Sequence, residues 1–552
     1  MSRFAVVTAV LTLTLAGSAV PSAAQVARPG AHAGPAAGSA RAEPGFAPDP
    51  IRWGPCGTGR LQRRGAECGY LTVPLDYADP ARGTIRIAVS RVRHTVPAAR
   101  YQGVMLTNPG GPGGSGLALS VLGDYVPKQA GAAYDWIGFD PRGVGASEPR
   151  LACHGGHFGY NRPYYVPVTA SLEQTWLQRA TEYARACATA GGPLLNHLKT
   201  TDTVADMESL RQALGRQQIN FYGFSYGSYL GQVYATLHPD RVRRMVLDGN
   251  VDARRVWYAA NLDQDVAFDR NMKVFFGWIA KHHKVYRLGT SAAKVERRFY
   301  AEQLKLRTTP AGGVIGPDEW TDLFLTAGYY VHGWLDVAAA FSGWVHRRDW
   351  QSLKALYDGA NPQGPGTDNG YAVYLATQCT DTQWPASWRT WRRDNRRTHA
   401  KAPFVTWANA WFNAPCRDWA APAGKPVEVD GSAVAPILLI SETRDGATPF
   451  EGSLEVRSRF RRAVLIEGVG GTTHAGSLSG VACTDNRIAD YLATGALPAR
   501  LPGRRSDVRC SPVPRPVPAR AALTESRSTA GATDLTRADL QQLIGPRRRA
   551  GR

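Results

Sequence analysis

The segment at residues 223–227 reads Gly-Phe-Ser-Tyr-Gly and fits the G-x-S-x-G pattern that surrounds a nucleophilic serine. An apolar run at 219–222 precedes it, and a helical pattern begins at Tyr226. The two glycines permit a sharp strand-to-helix turn that would hold Ser225 in a strained conformation at the helix N-terminus. A Gly-Ser turn that only joins a strand to a helix has the same sequence, so neighbouring motifs must decide between the two. The pattern predicts acyl transfer with Ser225 as the nucleophile.

A second motif, Asn-Pro-Gly-Gly-Pro-Gly-Gly-Ser-Gly, occupies residues 108–116 after an early apolar run. Glycines allow backbone N–H groups to approach a ligand without interference from a Cβ atom. A hydrolase keeps half of its oxyanion hole in a loop at this position, and the other donor follows the nucleophile. We therefore expect the N–H groups of Gly111 and Tyr226 to be the donors. Phosphate binding is the rival interpretation, and the absence of G-K-[ST] after the loop argues against it.

A triad in this chain order needs an acid and then a histidine after the serine. Asp445 follows an apolar run at 436–440 and is the expected acid, with Glu442 as the alternative. His474 is the only histidine after His399. It would accept the proton of Ser225 and return one to the leaving group, while the acid fixes its tautomer and stabilises the imidazolium.

These motifs lie where strand patterns alternate with helix patterns, which predicts an α/β fold with a mostly parallel, doubly wound sheet. The alternation stops at 252–434, a helical segment with twelve of the fifteen tryptophans, and resumes at 435–510. The sequence therefore predicts a core at 51–251 and 435–510, interrupted by a helical cap. We expect most cap tryptophans to pack its own helices and a few to face Ser225. The basic segment at 511–552 is expected to be disordered.

The first residues predict export. Residues 1–24 combine a basic start, an apolar stretch and a small-residue cleavage site, the pattern of a signal peptide. Residues 25–50 are rich in Ala, Gly and Pro and predict a linker or pro-segment. After cleavage no apolar stretch reaches the length of a membrane span, so no stable membrane insertion is expected. The predicted location is extracellular, with the cell wall as a further possibility.

The chain has eight cysteines. An even number of cysteines in an exported protein suggests disulfides, so this count is consistent with export. The cysteines form four sequence-local couples, Cys56 and Cys68, Cys153 and Cys187, Cys379 and Cys416, and Cys483 and Cys510. We predict that neighbours pair, one of about 105 possible connectivities.

Composition excludes several classes of function. Apolar residues make up 43% and charged residues 20%, which is typical of globular proteins. The net charge of +20 is scattered, and no nucleic-acid-binding motif accompanies it, so a solvated basic surface is the expectation and no nucleic acid is a predicted partner. Without H-E-x-x-H or C-x-x-C, neither a catalytic metal nor a cofactor is expected.

Together, the motifs at 108–116, 140–147 (Asp-Pro-Arg-Gly-Val-Gly-Ala-Ser) and 223–227 resemble those of the secreted actinobacterial tripeptidyl aminopeptidases. Residues 379–381 (Cys-Thr-Asp) and Asp445 with Thr448-Pro449 extend the likeness. The resemblance implies the α/β-hydrolase fold of serine peptidases related to prolyl aminopeptidases, with Ser225, Asp445 and His474 as the triad. It also implies that acidic cap residues hold the substrate's amino group; the resemblance does not assign their positions in this chain, so the substrate-binding residues are unknown, and Asp381 is one candidate. This chain has Thr473 where the family usually has Gly.

The favoured function is an exopeptidase that takes peptides with a free N-terminus and releases tripeptides. The first alternative is an esterase, because triad and oxyanion hole serve ester and amide transfer alike. A non-catalytic binding protein on the same scaffold is the second, and a missing triad member would favour it. All three candidate residues are present.

Overall fold

The computed structural model describes residues 46–57 and 59–518. The predicted signal peptide at 1–24, most of the predicted linker and the chain from residue 519 onward lie outside the described residues.

One twisted sheet organises the described chain, and its seven consecutive parallel strands confirm the predicted α/β architecture. The strands are β1 (Gly54–Pro55), β2 (Glu67–Pro74), β3 (Thr84–Val92), β4 (Val104–Asn108), β5 (Asp135–Phe139), β6 (Ile219–Phe224), β7 (Val242–Asp248), β8 (Leu438–Glu442), β9 (Val464–Gly468) and β10 (Val508–Cys510). Their order is β1-β2-β3-β5-β4-β6-β7-β8-β9-β10. The first three strands run antiparallel to their neighbours. Strands β4, β5, β6 and β8 are buried throughout, because helices cover both faces of the parallel part.

The described α-helices cover the sheet and fill the segment between β7 and β8. They are α1 (Gly59–Arg63), α2 (Ala170–Gly191), α3 (Thr200–Ala213), α4 (Tyr226–Leu237), α5 (Tyr258–Lys281), α6 (His283–Tyr286), α7 (Ala292–Leu306), α8 (Pro317–Tyr329), α9 (Trp334–Arg347), α10 (Trp350–Ala360), α11 (Asn369–Asp381), α12 (Trp388–His399), α13 (Thr406–Asn413), α14 (Phe450–Arg459) and α15 (Ala482–Thr494). Helices α5 to α13, which we call the helical insertion, all fall within the segment 252–434. No helix in the described ranges is long and apolar enough to cross a membrane.

The insertion has an apolar core of its own. Trp320 and Trp334 are fully buried in it and lie among phenylalanines such as Phe275 and Phe324. This packing accounts for part of the tryptophan in the segment, since large aromatic side chains bury much apolar area in small helical layers.

The chain after β10 continues across the molecule as a segment that we call the C-terminal strap, residues 511–518. The N–H of Val513 donates to Glu442 at the end of β8, at 2.6 Å. Farther on, Trp278 of α5 donates its indole N–H to the carbonyl of Pro516 at 3.0 Å. The start of the segment expected to be disordered therefore packs on both the sheet and the insertion.

The structure pairs all eight cysteines with their sequence neighbours. The disulfides are Cys56–Cys68, Cys153–Cys187, Cys379–Cys416 and Cys483–Cys510. The last of them fixes β10 to α15 directly before the strap begins.

Candidate active site

Ser225 lies in the turn between β6 and α4, with φ 57° and ψ −124°. A positive φ is unfavourable for any residue with a Cβ atom, and it marks strain that the surroundings must hold. The backbone N–H of Ser225 donates to the carbonyl of Asp248 at 2.9 Å, and Ser228 Oγ donates to the carbonyl of Ser225 at 2.6 Å. A Cβ atom at Gly227 would lie 2.7 Å from the carbonyl oxygen of Asn108. The turn therefore requires glycine beside the serine, as the motif predicts.

The glycine loop after β4 passes directly against this turn. A Cβ atom at Gly110 would lie 2.8 Å from the Cβ of Ser225 and 2.9 Å from the backbone nitrogen of Tyr226. Asn108 Oδ1 accepts a hydrogen bond from the N–H of Gly110 at 2.9 Å and holds this approach. Gly111 follows at the exposed edge of the loop with φ 112°. The two expected oxyanion donors, Gly111 and Tyr226, thus lie on segments that adjoin Ser225.

Asp445 and His474 form the hydrogen-bonded pair of the site. Oδ2 of Asp445 lies 2.8 Å from Nδ1 of His474. The same carboxylate accepts the backbone N–H groups of Ala447 and Thr448 and the Thr448 hydroxyl at 2.8–3.0 Å. A carboxylate surrounded by donors acts as an acceptor, so the contact with His474 places the ring proton on Nδ1. The other ring nitrogen is left with a lone pair.

Nε2 of His474 is buried and has no hydrogen-bond partner among the described residues. The ring lies next to Gly249, where a Cβ atom would approach Cε1 to 2.9 Å. Ser228 Oγ donates to the carbonyl of Ser225 and also lies 3.2 Å from the carbonyl of Gly249. The glycine beside the imidazole is therefore close to the serine turn. The structure brings Asp445 into contact with His474 and places Ser225 nearby without a hydrogen bond to Nε2. Catalytic hydrogen bonds are often long in the absence of substrate.

Comparisons with known proteins identify the family of this chain. A family model described as the alpha/beta hydrolase fold matches residues 103–471. The tripeptidyl aminopeptidase of Streptomyces coelicolor is 41% identical over 482 residues, which cover 84% of this chain and 87% of that protein. This chain belongs to the tripeptidyl aminopeptidase family of α/β-hydrolase-fold serine peptidases. The serine protease Hip1 of Mycobacterium tuberculosis is 29% identical over 81% of this chain and 90% of its own length. Carboxylesterase B of the same organism is 30% identical over 88% of this chain and 94% of its own length.

Burial and charge together set the basicity of the histidine in this peptidase. Burial lowers the pKa of His474, but the negative charge of Asp445 and its hydrogen bond raise the pKa more, so that it lies above 6.5. The charge of Asp445 thus makes the imidazole a stronger proton acceptor, as a general base requires.

Glu442, the alternative acid in the sequence, does not contact the imidazole through any hydrogen bond that the structure describes. Its carboxylate accepts the backbone N–H of Thr473 and that of Val513, each at 2.6 Å. Burial raises the pKa of Glu442 to about 8. Glu442 therefore supports the backbone of the loop that carries the histidine, and Asp445 contacts the ring.

The helical insertion also holds this loop. The N–H of His474 donates to the carbonyl of Tyr329 at 2.8 Å, and the N–H of Val331 donates to Thr473 Oγ1 at 3.3 Å. The rings nearest the imidazole are those of Tyr329 and Tyr330, at 5.8 and 6.4 Å between centroids. Tyrosines form this aromatic wall beside the histidine, whereas Trp257 is the tryptophan that packs on Tyr226, next to the serine.

Asp381 does not fit the role of amine binder that the resemblance suggested. It is 6% exposed, and its two oxygens accept the N–H and hydroxyl of Thr200 and the indole N–H of Trp257 at 2.7–3.1 Å. These donors occupy the carboxylate, so it is not available to an ammonium group.

Asp265 on α5 is a residue that the sequence reasoning missed. It is 1% exposed, and Asn409 Nδ2 donates to its Oδ1 at 2.9 Å. Its spacing could have revealed it, since Asn261, Asp265, Phe268 and Met272 recur at helical intervals on one buried face. Asp269 and Asn271 are buried on the same helix, and such buried polar residues mark a site or a buried network.

Proposed function

We propose that this peptidase releases short peptides, in particular tripeptides, from free N-termini through a triad of Ser225, Asp445 and His474. The observation that carries the proposal is the Asp445–His474 pair: Nε2 of this histidine is buried beside the strained serine turn and has no hydrogen-bond partner in the part of the chain that the structure describes. A pair oriented in this way serves as the base of a nucleophilic serine.

In this mechanism Ser225 Oγ attacks the scissile carbonyl while Nε2 of His474 takes the hydroxyl proton. The N–H groups of Gly111 and Tyr226 donate to the oxygen that becomes negatively charged, where donors act most strongly on the transition state. The imidazolium returns its proton to the leaving amine, and an acyl-enzyme remains. Water, deprotonated by the same nitrogen, then releases the acyl peptide and regenerates the serine.

The location that we propose is outside the cell. Four disulfides join the eight cysteines, and such bonds persist in oxidising compartments. The leader pattern at 1–24 supports the same assignment. Peptides outside the cell are then the available substrates, and the basic surface would attract the protein to an anionic cell wall.

We assign the recognition of the free amino group to Asp265. Burial raises the pKa of its carboxyl well above the usual value, and no ion pair to it forms among the described residues. A buried carboxylate is unfavourable unless a cation accompanies it. The ammonium of a substrate would supply that cation.

The position of Asp265 supports this assignment. One helical turn later, the ring of Phe268 lies 4.7 Å from that of Tyr329, which contacts His474. The face of α5 that carries Asp265 is therefore continuous with the wall beside the catalytic histidine. The distance between an ammonium site at Asp265 and Ser225 is fixed, and it would determine how many residues of the substrate lie between its N-terminus and the cleaved bond.

The test compares chromogenic tripeptidyl amides with and without N-terminal acetylation. We expect acetylation, and separately Asp265→Asn with the free amine, to lower kcat/KM by about 100-fold, the scale of a lost buried charge pair. Asp263→Asn is the matched control, because Asp263 is on the same helix, half-exposed and paired with Arg255 at the surface. It should leave kcat/KM unchanged. Equal values for free and acetylated substrates would contradict the aminopeptidase assignment.

An esterase is the second candidate, and the similarity to a carboxylesterase B favours it. Short acyl esters assayed beside the tripeptidyl amides separate the two functions. The esterase function would be supported if kcat/KM is higher for simple esters without an amino group than for the tripeptidyl amides. The value for these esters should then be the same in Asp265→Asn as in the parent.

A further inference from the structure

A buried chain of hydrogen bonds connects Asp381, the last residue of α11, to the residue that follows the nucleophile. The N–H of Thr200 donates to Asp381 Oδ1 and the Thr200 hydroxyl donates to Oδ2, both at 2.7 Å. Thr200 Oγ1 lies 2.9 Å from the phenol oxygen of Tyr226. All three side chains are nearly inaccessible to solvent.

The direction of these hydrogen bonds follows from counting protons. A threonine hydroxyl has one proton, and the carboxylate takes it. Trp257 adds its indole N–H to Oδ2 of Asp381 at 3.1 Å, so three donors converge on this side chain. Burial raises the pKa of Asp381 to about 6, so the carboxyl is ionised and accepts all three donors at neutral pH and above. Tyr226 must therefore donate its phenol proton to Thr200.

This arrangement fixes Tyr226 at both ends. Its backbone nitrogen lies next to Gly110 and Ser225 in the turn. At the far end of the side chain, its phenol is hydrogen-bonded to Thr200. Between them, the ring packs 5.9 Å from Trp257 between centroids. A tyrosine has only two side-chain torsions, so a fixed phenol and a packed ring restrict the orientation of its backbone.

We propose that Asp381 and Thr200 are positioning residues that hold the N–H of Tyr226 in the direction required to bind the oxyanion. The proposal rests on the proposed function, because it takes this N–H to be one of the two donors. It also assigns a second role to the helical insertion, since α11 belongs to the insertion, whereas Thr200 on α3 and Tyr226 on α4 belong to the sheet layer. The insertion would then help to build the oxyanion hole as well as to select substrate.

The test uses a pair of substitutions at one position. Thr200→Val keeps the shape and removes the hydroxyl, whereas Thr200→Ser keeps the hydroxyl. An oxyanion donor acts on the transition state, so we expect Thr200→Val to lower kcat by roughly 10- to 100-fold, less than the loss of a whole donor, with KM unchanged. Thr200→Ser should restore kcat to within about threefold of the parent. The rate of inactivation by a fluorophosphonate, whose phosphoryl oxygen occupies the same hole, should fall in parallel with kcat/KM.

Tyr226→Phe is the second variant, since it deletes a single oxygen and keeps the ring packing. It should reproduce the kcat loss of Thr200→Val, and the double variant should lose little more, because both changes break one chain of hydrogen bonds. A lower melting temperature with unchanged kcat in both single variants would overturn the proposal and leave a purely structural network. Ser225→Ala separates this outcome from failure of the proposed function. An inactive Ser225→Ala variant would be consistent with the proposed triad, whereas wild-type activity in this variant would contradict both the proposed function and the positioning role.

Discussion

Oδ2 of Asp445 lies 2.8 Å from Nδ1 of His474, 29 residues farther along the chain. The strand ends of β8 and β9 bring the two residues together, because parallel strands end at one edge of the sheet. The carboxylate is so fully hydrogen-bonded that it can hold the ring in only one orientation.

The first prediction concerns this carboxylate. Asp445→Asn should fold normally and lower kcat by about 10⁴-fold, because the amide can present an N–H to Nδ1 and stabilise the wrong tautomer. Steady-state kinetics on a tripeptidyl amide measure the change, and an unaltered melting temperature serves as the control for folding. A variant that retains more than a tenth of the parent kcat would show that Asp445 is not the acid of the triad.

The second prediction is a pH profile. The imidazole of His474 must be neutral to accept the serine proton, and its pKa lies above 6.5 in the folded protein. We therefore expect kcat/KM to fall as the pH drops, with an apparent pKa above 6.5. In the residual activity of Asp445→Asn this midpoint should move to lower pH, since the negative charge that raises it is gone. A midpoint that does not move would contradict the assigned pairing.

The third prediction concerns the close approach of the glycine loop. Gly110→Ala should lower kcat by about 100-fold or more, because the new Cβ meets Ser225 and the loop must move away from the oxyanion position. The same variant should react slowly with a fluorophosphonate. Gly57→Ala is the control, since a Cβ there meets nothing within 4 Å. Equal activity of the two variants would show that the loop is free to move without consequence.

The fourth prediction addresses the C-terminal strap. A chain ending at residue 510 should be less stable and less active than one ending at 518, because Glu442 loses the N–H of Val513 and Trp278 loses its acceptor. Each buried polar group left unpaired costs about 1–3 kcal/mol. Thermal unfolding and kcat of the two truncations give the comparison. Identical values for both would mean that the strap contributes nothing to the histidine loop.

The fifth prediction concerns the disulfide before the strap. The double variant Cys483→Ser with Cys510→Ser opens a loop with a sequence separation of 27 residues. Loss of the loop constraint should lower the free energy of unfolding by about 3.5 kcal/mol. Denaturant unfolding measures the change, and peptide mapping under non-reducing conditions should find all four bonds in the parent. A free thiol in the exported parent protein would refute the pairing.

Much of the α/β core can be predicted from local sequence. Helix α4 begins at Tyr226 as the pattern predicts, and β6 leads into it, because a strand with apolar residues on both faces and a glycine turn leave few alternatives. The short edge strands β1 and β10 were not predicted, since two or three residues carry no periodicity of their own. Their pairing depends on neighbours brought close by the fold.

The sequence by itself determined the family and the α/β sheet, and it predicted a triad in the order serine, acid and histidine, because those depend on motifs and periodicities that lie within short segments. Only the tertiary structure shows that Asp445, and not Glu442 three residues earlier, contacts the imidazole of His474. The tertiary structure also shows that Asp381, a candidate amine binder in the sequence, belongs to a buried hydrogen-bond network, and it reveals Asp265 as a buried carboxyl group. The physical reason is that a carboxylate's role depends on which donors and charges surround it, and those partners come from segments far away in the chain.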